Sequence, residues 1–543
     1  MSLEIERIPL QGNAIACAYI DDHARVATFF DAGPPVSLAS FRQRAELIRQ
    51  SFSEQRWVDL ADAFGSDDAA SGDRLSELIE ARGFFVATGQ QAGLFGGPLM
   101  AIYKALTAAR LAHDLQEYLG VPVMPLFTVA SEDHDWREVD HTQVVDVSNQ
   151  LVRIEINRPR SDGAGGSEDG EQSPDPPVHR IRLSEDIQAT IERFAEALPD
   201  SELKPEIIDR LRRIYRPGSG FADAFQQLLE QLLAGYPFLI VQMSHPYIKL
   251  VSRDLLWADW DKRAEIHSEL TRRADELAAA GFSPQVTVPE RTTNLFVEGS
   301  LGRDRVVWDE EGAHLRRSGE RLSPEELRKL IYEAPESVSP GVLLRPVVEA
   351  GAFPVIAHVA GPAEIAYLAQ SQVLYQLLGV PAPVAVPRAS FRLIEPKVRK
   401  VLDKYELDPD ALSGDADQAI AKLVKERKPL RLKQAVEELR TAVDAALDSV
   451  ESLALDYDPG AKSALGTGRR AIIAGIETLE GKLEGRVKEK HQVMRQQLQK
   501  IAVNLYPAGK PQERLLNVHP FLARYGPDLL DRVYEACEPE LIE

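Results

Sequence analysis

Acidic and histidine side chains are concentrated in the segment Ser131–His141, which has the sequence SEDHDWREVDH. Carboxylates and imidazoles at this density can exchange protons with a substrate, bind an amine or hold a metal ion. In an extended segment Asp133 and Asp135 share one face and His134 lies on the other, unlike the one-sided arrangement of an HExxH zinc site. The segment therefore predicts a catalytic or substrate-binding cluster, with a metal site and a solvated loop as the alternatives.

A glycine-rich turn, GQQAGLFGGP, lies upstream of this segment. The spacing of Gly93, Gly96 and Gly97 matches neither the dinucleotide motif GxGxxG nor the phosphate loop GxxxxGK[ST]. Amides that precede a helix beginning near Pro98 can bind an anion, and Lys104 could reach a phosphate as a point charge. We therefore predict an anion-binding turn, and the alternatives are a turn without a ligand and a solvated lysine.

A second turn, AGPAEIAY, carries another set of candidate residues. Glu364 lies in the first helical turn after Gly361, where a carboxylate either complements the helix dipole or binds a cationic amine or a ribose. Arg388 closes the strand in PVAVPR and is a candidate clamp for a carboxylate. Asn294, in TTNLF, is either a turn residue or a hydrogen-bonding residue of the site. Further candidates flank or follow the second turn: Arg345, Glu349, His358 and Tyr367.

Two strand–turn–helix–strand units must position these side chains. In the first, the apolar pattern predicts a strand over Phe84–Ala87, a helix over Leu99–Tyr118 and a strand over Val121–Ala130. The second unit lies within residues 342–388 and repeats this order. Ligands of open α/β sheets bind at the carboxyl ends of the strands, so both sets of candidates should meet at one edge of a sheet. We therefore predict an α/β protein with a Rossmann-like core.

The halves of this core are predicted to be residues 1–155 and 341–395, separated by an insertion over residues 156–340. The insertion contains a predicted strand at Pro237–Gln242. Its segment 158–178 is polar and rich in turn residues, which predicts a surface loop.

Residues 396–505 differ in pattern from the rest. Apolar residues from Leu432 to Tyr457 recur in alternating steps of four and three, as in the seam of a coiled coil. A break at Asp458–Gly460 is followed by a second apolar helix that extends to Leu505. We predict an antiparallel helical hairpin that associates with a second copy of the chain, and the alternative is a helical domain packed on its own body.

The amino-acid composition of the chain argues against several classes of protein. The chain has 543 residues, 44% of them hydrophobic, which is sufficient for two or three domains. A net charge of −21 argues against broad binding to nucleic acids or anionic membranes, because both need excess Lys and Arg. Cys17 and Cys537 provide neither a disulfide framework nor a CxxC metal pair. Without a signal-like amino terminus or a run of about 18 apolar residues, we predict a cytoplasmic globular protein.

Several motifs together resemble the cysteine ligases of bacillithiol biosynthesis, the BshC family. They are TGQQAGLFGGP, AIYK, ASEDHDWREVDH, TTNLF, RPVVEAGAFPVIAHVAGPAEIAYLAQ, PVAVPR and PQERLLNVHPFLARYGPDLLDRV, and they extend over nearly the whole chain. The resemblance implies a core like that of class I aminoacyl-tRNA synthetases, such as cysteinyl-tRNA synthetase, and of nucleotidylyl transferases. It also implies a connecting-peptide insertion, a dimerising coiled coil and a C-terminal segment, residues 506–543, packed on the core.

The resemblance further implies addition of cysteine to the amine of glucosamine-malate, with ATP activating the carboxyl group. Magnesium would accompany ATP and no other metal is expected; the partners would be small molecules and a second copy of the chain, not nucleic acid or membrane. HIGH, KMSKS and cysteine ligands for zinc are absent from the sequence, so activation would use residues other than those of the synthetases. The rival interpretations are a nucleotidyltransferase that activates a small acid and a non-catalytic coiled-coil scaffold.

The predicted site residues fall into three sets, of which the catalytic set is Glu132, Asp133, His134 and Asp135. The substrate-binding set is Gln90, Gln91, His141, Asn294, Arg345, Glu349, His358, Glu364, Tyr367 and Arg388. The nucleotide-binding set is Gly93, Gly96, Gly97, Lys104 and Gly361. We expect His134 or Asp135 to accept the proton of the attacking amine, and Arg345 and Arg388 to hold the malyl carboxylates.

Overall fold

A computed structural model describes residues 3–64, 69–157, 176–426 and 430–543, and it divides them into two units. The first unit contains residues 3–393 and 513–543, and the second contains residues 394–512. The predicted surface loop at 158–178 lies outside the described residues except for its last three positions. The predicted C-terminal segment, 506–543, is divided between the units after residue 512.

The strands of the described residues, in chain order, are β1 (Glu4–Arg7), β2 (Phe84–Gln90), β3 (Val123–Val129), β4 (His141–Val145), β5 (Leu151–Glu155), β6 (Leu239–Gln242), β7 (Thr292–Gly299), β8 (Gly302–Trp308), β9 (Ala313–Leu315), β10 (Arg321–Leu322), β11 (Val338–Pro340), β12 (Val355–Ala360), β13 (Val384–Pro387) and β14 (Phe391–Ile394).

The α-helices before the second unit are α1 (Ala14–Asp21), α2 (Leu38–Ser51), α3 (Glu54–Phe64), α4 (Ala69–Glu80), α5 (Leu99–Leu119), α6 (Trp136–Val139), α7 (Asp186–Ala197), α8 (Lys204–Ile214), α9 (Phe221–Leu232), α10 (Pro246–Val251), α11 (Arg253–Asp261), α12 (Arg263–Ala279), α13 (Pro324–Glu333), α14 (Arg345–Ala352) and α15 (Pro362–Leu378). The second unit contains α16 (Pro396–Tyr405), α17 (Ala416–Glu426), α18 (Leu430–Tyr457) and α19 (Lys462–Leu505). The first unit then ends with α20 (His519–Tyr525) and α21 (Asp528–Ala536).

A parallel five-stranded sheet with the order β13-β12-β2-β3-β6 forms the centre of the first unit. β3 and β12 are buried along their whole length, because helices cover both faces of the sheet. This burial explains why the strands appear in the sequence as continuous apolar runs. The Rossmann-like α/β core predicted from the sequence is confirmed, and its two predicted halves share this sheet.

The edge strand β6 comes from within the predicted insertion, residues 156–340, and pairs with β3 from Leu239 to Gln242. The insertion therefore also contributes to the central sheet. It further supplies an antiparallel sheet with the order β10-β9-β8-β7-β11. The amide of Gly341, just after β11, donates to the carbonyl oxygen of Asn294 on β7 at 2.6 Å. This sheet thus leads the chain directly into α14, where Arg345 begins the second half of the core.

In the second unit, α16 and α17 pack against the C-terminal part of α19. Their shared core includes Val398, Leu402, Ile420, Leu498 and Ile501. Beyond this core, α18 and α19 form the predicted antiparallel hairpin, which reverses direction at Pro459–Ala461. The coiled-coil domain predicted from the sequence is confirmed as a helical hairpin.

Ion pairs connect the two helices of the hairpin. Arg440 lies 2.8 Å from Glu480, and Arg469 lies 3.0 Å from Asp444. These charged residues occupy part of the seam between α18 and α19, where a coiled coil of apolar residues alone would place aliphatic side chains. Only part of the apolar stripe predicted on α18 is therefore buried within the hairpin.

Most of that stripe is exposed in a single chain. Val436 is buried, whereas Leu439, Val450, Leu453 and Tyr457 are 41%, 54%, 69% and 94% exposed. On α19 the predicted apolar positions divide in the same way, since Met494, Leu498, Ile501 and Leu505 are buried and Ile472 and Leu479 are exposed. An apolar surface of this extent on a long hairpin is characteristic of a protein interface.

Candidate active site

A cavity of about 450 Å³ opens at the carboxyl ends of β2, β3, β12 and β13. Its volume lies within the range of about 300–1,000 Å³ that is usual for small-molecule sites. The predicted site residues in its wall come from both halves of the core: Gln90, Gln91, Lys104, Asp133, Arg345, Glu349, His358, Gly361, Glu364, Tyr367 and Arg388. The fold therefore brings together most of the residues that the sequence singled out.

A buried ion pair joins the helices that follow the two turns. Lys104 Nζ on α5 lies 2.5 Å from Glu364 Oε2 on α15, and it also donates to the carbonyl oxygen of Gly89 at 2.8 Å. The same carboxylate oxygen accepts the N–H of Gly361 at 2.7 Å. Burial lowers the pKa of Lys104. Burial opposes ionisation of Glu364, but the ion pair with Lys104 and the hydrogen bond from the Gly361 amide outweigh it, so the pKa of Glu364 is lowered.

His358, on β12, is held by a carboxylate at one ring nitrogen. Nδ1 lies 2.9 Å from Oε1 of Glu349 on α14, and Oε2 of Glu349 accepts a hydrogen bond of 2.5 Å from the hydroxyl of Thr128 on β3. All three residues are buried. Nε2 of His358 is also buried and has no hydrogen-bond partner among the described residues. His358, a residue of the cavity wall, therefore keeps one imidazole nitrogen without a protein partner among the described residues.

Asp133 alone, of the predicted catalytic set, lines the cavity. Its carboxylate accepts hydrogen bonds from Gln91 Nε2 at 3.0 Å and from the backbone N–H of His134 at 2.8 Å. Burial would raise the pKa of Asp133, but His134, the charge of Arg303 and the hydrogen bond from Gln91 outweigh it. The pKa of Asp133 is therefore held well below its usual range, and the side chain provides a fixed negative charge for a cationic group.

Arg388, the predicted carboxylate clamp, is already bound within the protein. Its two terminal nitrogens donate to both carboxylate oxygens of Glu513 at 2.8 and 2.5 Å, and both side chains are buried. This bidentate pair attaches the C-terminal segment to the end of β13. The structure thus corrects the expected role, because the fork of Arg388 that would hold a substrate carboxylate is occupied by Glu513.

Two other arginines of the cavity wall, unlike Arg388, are not bound to a carboxylate of the described chain. Burial disfavours the charge of Arg345, but its neighbours Tyr367 and Asp133 outweigh this effect and raise its pKa. Neither Arg345 nor Arg514 forms a salt bridge with another of the described residues, and the side chain of Arg514 is exposed. Arg345 and Arg514 are therefore the arginines that can accept an anionic ligand here.

The structure places the other three predicted catalytic residues outside the cavity wall. Glu132 is buried in an ion pair with Lys249, and Asp135 is exposed at the start of α6. His134 lies beside Asp133, with Nδ1 3.6 Å from Oδ1, and its ring does not line the cavity. The reason is that the chain turns after β3 and begins α6 at Trp136, whereas the prediction treated the segment as extended.

His141 and Asn294, from the predicted substrate-binding set, also lie outside the cavity wall. His141 Nδ1 is 2.8 Å from Oδ1 of Asp140 at the start of β4. Asn294 donates from its side chain and its backbone to Asp259 at 2.8 and 3.0 Å. Asp259 is fully buried, and burial raises its pKa to about 6. Asn294 therefore satisfies a buried carboxyl group between α11 and β7.

In the glycine-rich turn, where an anion site was predicted, the amides of Gly96 and Gly97 already have partners in the protein. Gly96 and Gly97 have φ angles of +90° and +68°, which glycine adopts without strain, and their amides donate to carbonyl oxygens of the same turn at 3.2 Å. The first amide of α5, that of Leu99, donates to the carbonyl oxygen of Leu516 at 2.8 Å. Neither these glycines nor Gly93 line the cavity. The amides that would bind an anion are occupied by the protein itself.

Asn517 closes this turn from the C-terminal segment. Its buried side-chain nitrogen donates to the carbonyl oxygens of Phe95 and Gly97 at 2.8 and 3.2 Å, and to the hydroxyl of Thr142 at 3.0 Å. Asn517 thus holds the turn that precedes α5 in place.

Sequence reasoning missed Thr128, Glu138 and Arg514, which line the cavity, and Arg303, which acts on Asp133. Thr128 lies in the apolar strand VMPLFTV, where a hydroxyl carries no chemical signal by itself. Glu138 belongs to the acidic segment but lacks a distinguishing position. Arg514 follows Glu513 in the motif PQERLLN, and that motif was the only available signal for it.

Within the described ranges no group of three or more His, Cys, Asp and Glu side chains is arranged to hold a metal ion. None of the helices in these ranges combines the length and apolar character needed to cross a bilayer.

Comparison with known proteins gives concordant matches over both units. Residues 1–389 match the family model for the N-terminal Rossmann-like domain of bacillithiol biosynthesis BshC, and residues 391–542 match that for its C-terminal coiled-coil domain. A relative from Heliobacterium modesticaldum, named "Putative cysteine ligase BshC", is 31% identical over 98% of both chains. Relatives of the same name from Salinibacter ruber and Koribacter versatilis are 32% and 33% identical, over 89% and 85% of this chain and 86% and 83% of theirs. The chain therefore belongs to the BshC family.

Proposed function

We propose that this protein is a ligase that joins cysteine to the amine of glucosamine-malate, after ATP has activated the cysteine carboxyl group. The observation that carries the proposal is the cavity at the sheet edge, whose wall combines an imidazole with an unpartnered nitrogen, an ionised carboxylate and two arginines. Membership of a family whose relatives are named cysteine ligases supports the same reaction class.

The charged groups of the cavity match the substrate at its two ends. Glucosamine-malate carries malyl carboxylates, for which Arg345 and Arg514 are suitable partners. Its amine, or the amine of cysteine, finds a fixed negative charge in Asp133. These assignments replace the expected pair of Arg345 and Arg388 by Arg345 and Arg514, because Glu513 occupies Arg388.

The proposed requirement for ATP follows from the chemistry of amide formation. A free carboxylate does not form an amide with an amine until its oxygen is converted into a leaving group. The amides near Gly96 and Gly97 do not fit a phosphate, since they are bonded within the turn. Lys104 is the remaining member of the predicted nucleotide set with a positive charge, and Glu364 balances much of it. The ATP requirement therefore rests on the reaction and not on a nucleotide site.

The test is to incubate the purified protein with ATP, cysteine and glucosamine-malate and to detect the thiol product, AMP and ADP by mass spectrometry. We expect product only when all three substrates are present. Release of pyrophosphate without cysteine would instead support a nucleotidyltransferase.

In the same assay, Arg514→Gln should raise the KM for glucosamine-malate about tenfold with little change in kcat, as for an interaction present in both ground and transition states. Arg213→Gln, an exposed arginine on α8, is the matched control.

We further propose that the protein works in the cytoplasm as a homodimer formed through its hairpin. The exposed apolar positions of α18 and α19 support the dimer. The ATP and free cysteine that the reaction consumes support the location, and Cys17 and Cys537 are both free thiols.

A further inference from the structure

His358 has the surroundings of a general base. Its ring is 5% exposed and lines the cavity, with Nδ1 bonded to Glu349 and Nε2 without a partner among the described residues. We propose that Nε2 of His358 accepts the proton of the substrate amine as that amine attacks the activated cysteine, and that Glu349 and Thr128 are the residues that position it. This inference rests on the proposed function and adds a proton acceptor to it. The sequence analysis placed His358 only in the substrate-binding set.

The hydrogen bonds around Glu349 determine which nitrogen of His358 is free. The Thr128 hydroxyl donates to Oε2 of Glu349 at 2.5 Å, so that oxygen is already satisfied by a donor. Oε1 of Glu349 can only accept, so the bond of 2.9 Å to His358 requires the hydrogen to be on Nδ1. Neutral imidazole with its proton on Nδ1 carries its lone pair on Nε2. The chain of three side chains thus prepares an acceptor at the cavity wall.

Each of the three side chains is held by a different element of the central core. Thr128 is on β3, His358 is on β12, and Glu349 is on α14. All three are at most 5% exposed, so packing restricts their rotamers. Positioning groups on strands and helices of a rigid scaffold are more exact than positioning groups on loops. His134, half-buried after β3, lacks such support.

The proposed step balances as follows. The nitrogen of glucosamine-malate forms a bond to the carbonyl carbon of cysteine. The bond from that carbon to the oxygen bearing the phosphate or adenylate breaks, and the leaving group departs with the electron pair. The proton lost by the nitrogen passes to Nε2 of His358 and later to solvent. The imidazolium formed in this step lies beside the carboxylates of Glu349 and Glu364, which stabilise it.

The other charged groups that line the cavity with His358 come from α5, α14, α15 and the end of β13, and Arg345 on α14 forms no salt bridge with another described residue. Lys104 is bonded to Glu364, and Arg388 is bonded to Glu513, so neither adds an uncompensated positive charge. Tyr367 lies on the same side of the cavity, and burial raises its pKa, so it stays neutral at physiological pH. The carboxylate of Glu349, bonded to Nδ1, therefore opposes the positive charge of Arg345 when His358 accepts the proton.

The experiment compares His358→Asn with the wild type in two assays. Asparagine keeps a side-chain N–H donor for Glu349 but removes the acceptor at the Nε2 position. With all substrates, kcat for the thiol product should fall about 100- to 10,000-fold, the usual contribution of a general base. With ATP, cysteine and hydroxylamine but no sugar, formation of cysteine hydroxamate measures activation alone and should change less than about threefold. His113→Asn, an exposed histidine on α5, is the matched control.

Glu349→Gln tests the positioning role through the pH profile. The glutamine can still accept from Nδ1, but it lacks the negative charge that stabilises the imidazolium. The acid limb of the kcat profile should therefore move to lower pH, and kcat should fall, a combination that a merely structural role would not give. Thr128→Val, which keeps the side-chain shape without the hydroxyl, should lower kcat by a smaller factor.

The outcomes separate this inference from the proposed function. Equal product formation by His358→Asn and wild type would overturn the role of His358. So would an equal loss of product and hydroxamate in a variant whose circular dichroism matches the wild type, because it would place His358 in activation. An unchanged acid limb in Glu349→Gln would contradict the positioning role. Wild-type protein that forms neither product nor hydroxamate would overturn the proposed function itself.

Discussion

Asp259 is a fully buried carboxyl group that accepts hydrogen bonds from the backbone and side-chain amides of Asn294. Burial raises its pKa to about 6, from the usual 3.8. The folded state therefore binds this proton more tightly than the unfolded state does. The resulting stabilisation is fully present below pH 4 and is lost as the pH rises through 6, since the charged form is then buried.

We expect Asp259→Asn to remove this pH dependence. A shift of about two pKa units corresponds to about 3 kcal/mol, so the free energy of unfolding of the variant, relative to wild type, should rise by roughly this amount between pH 4 and pH 7. Chemical denaturation of both proteins at the two pH values gives the difference. Asp261→Asn, an exposed carboxylate at the end of the same helix, is the control and should show no such change. A relative stability of Asp259→Asn that is equal at both pH values would contradict the prediction.

At the scale of single residues, position after a strand predicted the site better than chemical type did. Asp133, His358 and Arg388 reach the cavity because each lies in or directly after a strand that its apolar neighbours reveal. His134 and Asp135 are equally reactive types, but the chain turns into α6 after Asp133 and directs them elsewhere. That turn depends on tertiary contacts of Trp136, which packs against Phe221 on α9. Such a contact cannot be read from the local sequence.

At the scale of the elements, the C-terminal segment is attached to the end of β13 by one ion pair. A single substitution can test how much this attachment contributes to stability. Arg388 and Glu513 form a buried bidentate pair. Glu513→Leu should destabilise the first unit by about 3–5 kcal/mol, because it leaves the guanidinium buried without its carboxylate. Arg388→Met combined with Glu513→Leu should recover much of this loss, since no charge then remains buried.

Thermal unfolding of the wild type, both single variants and the double variant measures the coupling between the two side chains. The exposed pair Arg82–Glu54 provides the control, and Glu54→Gln should leave the transition nearly unchanged. If the double variant were less stable than Glu513→Leu by the full cost of Arg388→Met, the two residues would not be coupled.

The elements themselves differ in how far the sequence reveals them. β2, β3, β12 and β13 are continuous apolar runs next to glycine turns, and their order along the chain predicts one parallel sheet. β6 was predicted as a strand, but its pairing with β3 depends on where the insertion folds back, which periodicity does not report. The amide of Leu99 and the carbonyl oxygen of Gly97 illustrate the same limit, since their partners Leu516 and Asn517 lie about 420 residues away along the chain.

At the scale of the whole molecule, the exposed apolar stripe of the hairpin predicts self-association. Leu439 and Leu479 are 41% and 44% exposed on α18 and α19. Light scattering of the wild type should give twice the 60.2 kDa mass of one chain. Leu439→Glu combined with Leu479→Glu should give the mass of one chain, because each places a charge within the apolar surface. Val58→Glu, at an exposed position on α3, is the control.

A wild-type mass of one chain would contradict the dimer, as would a dimer that persists in the double variant. The heptad spacing on α18 predicted the stripe, but it did not predict which partner would cover it. The ion pairs of Arg440 and Arg469 show the reason, since polar residues take part of the seam within the hairpin. Charged side chains at such positions are common on solvated helix faces, so their pattern alone does not distinguish the two surfaces.

The discontinuity of the first unit has a consequence for biosynthesis. The ribosome makes the residues up to 393 first, then the second unit, and only afterwards residues 513–543. Until that last segment emerges, Arg388 lacks Glu513, the turn at Gly97 lacks Asn517, and the first amide of α5 lacks its acceptor on Leu516. The candidate cavity therefore lacks these contacts while the helical hairpin, whose contacts are local in sequence, can already fold. We expect the part of its wall at Arg388 and Arg514 to form only once residues 513–543 have been made.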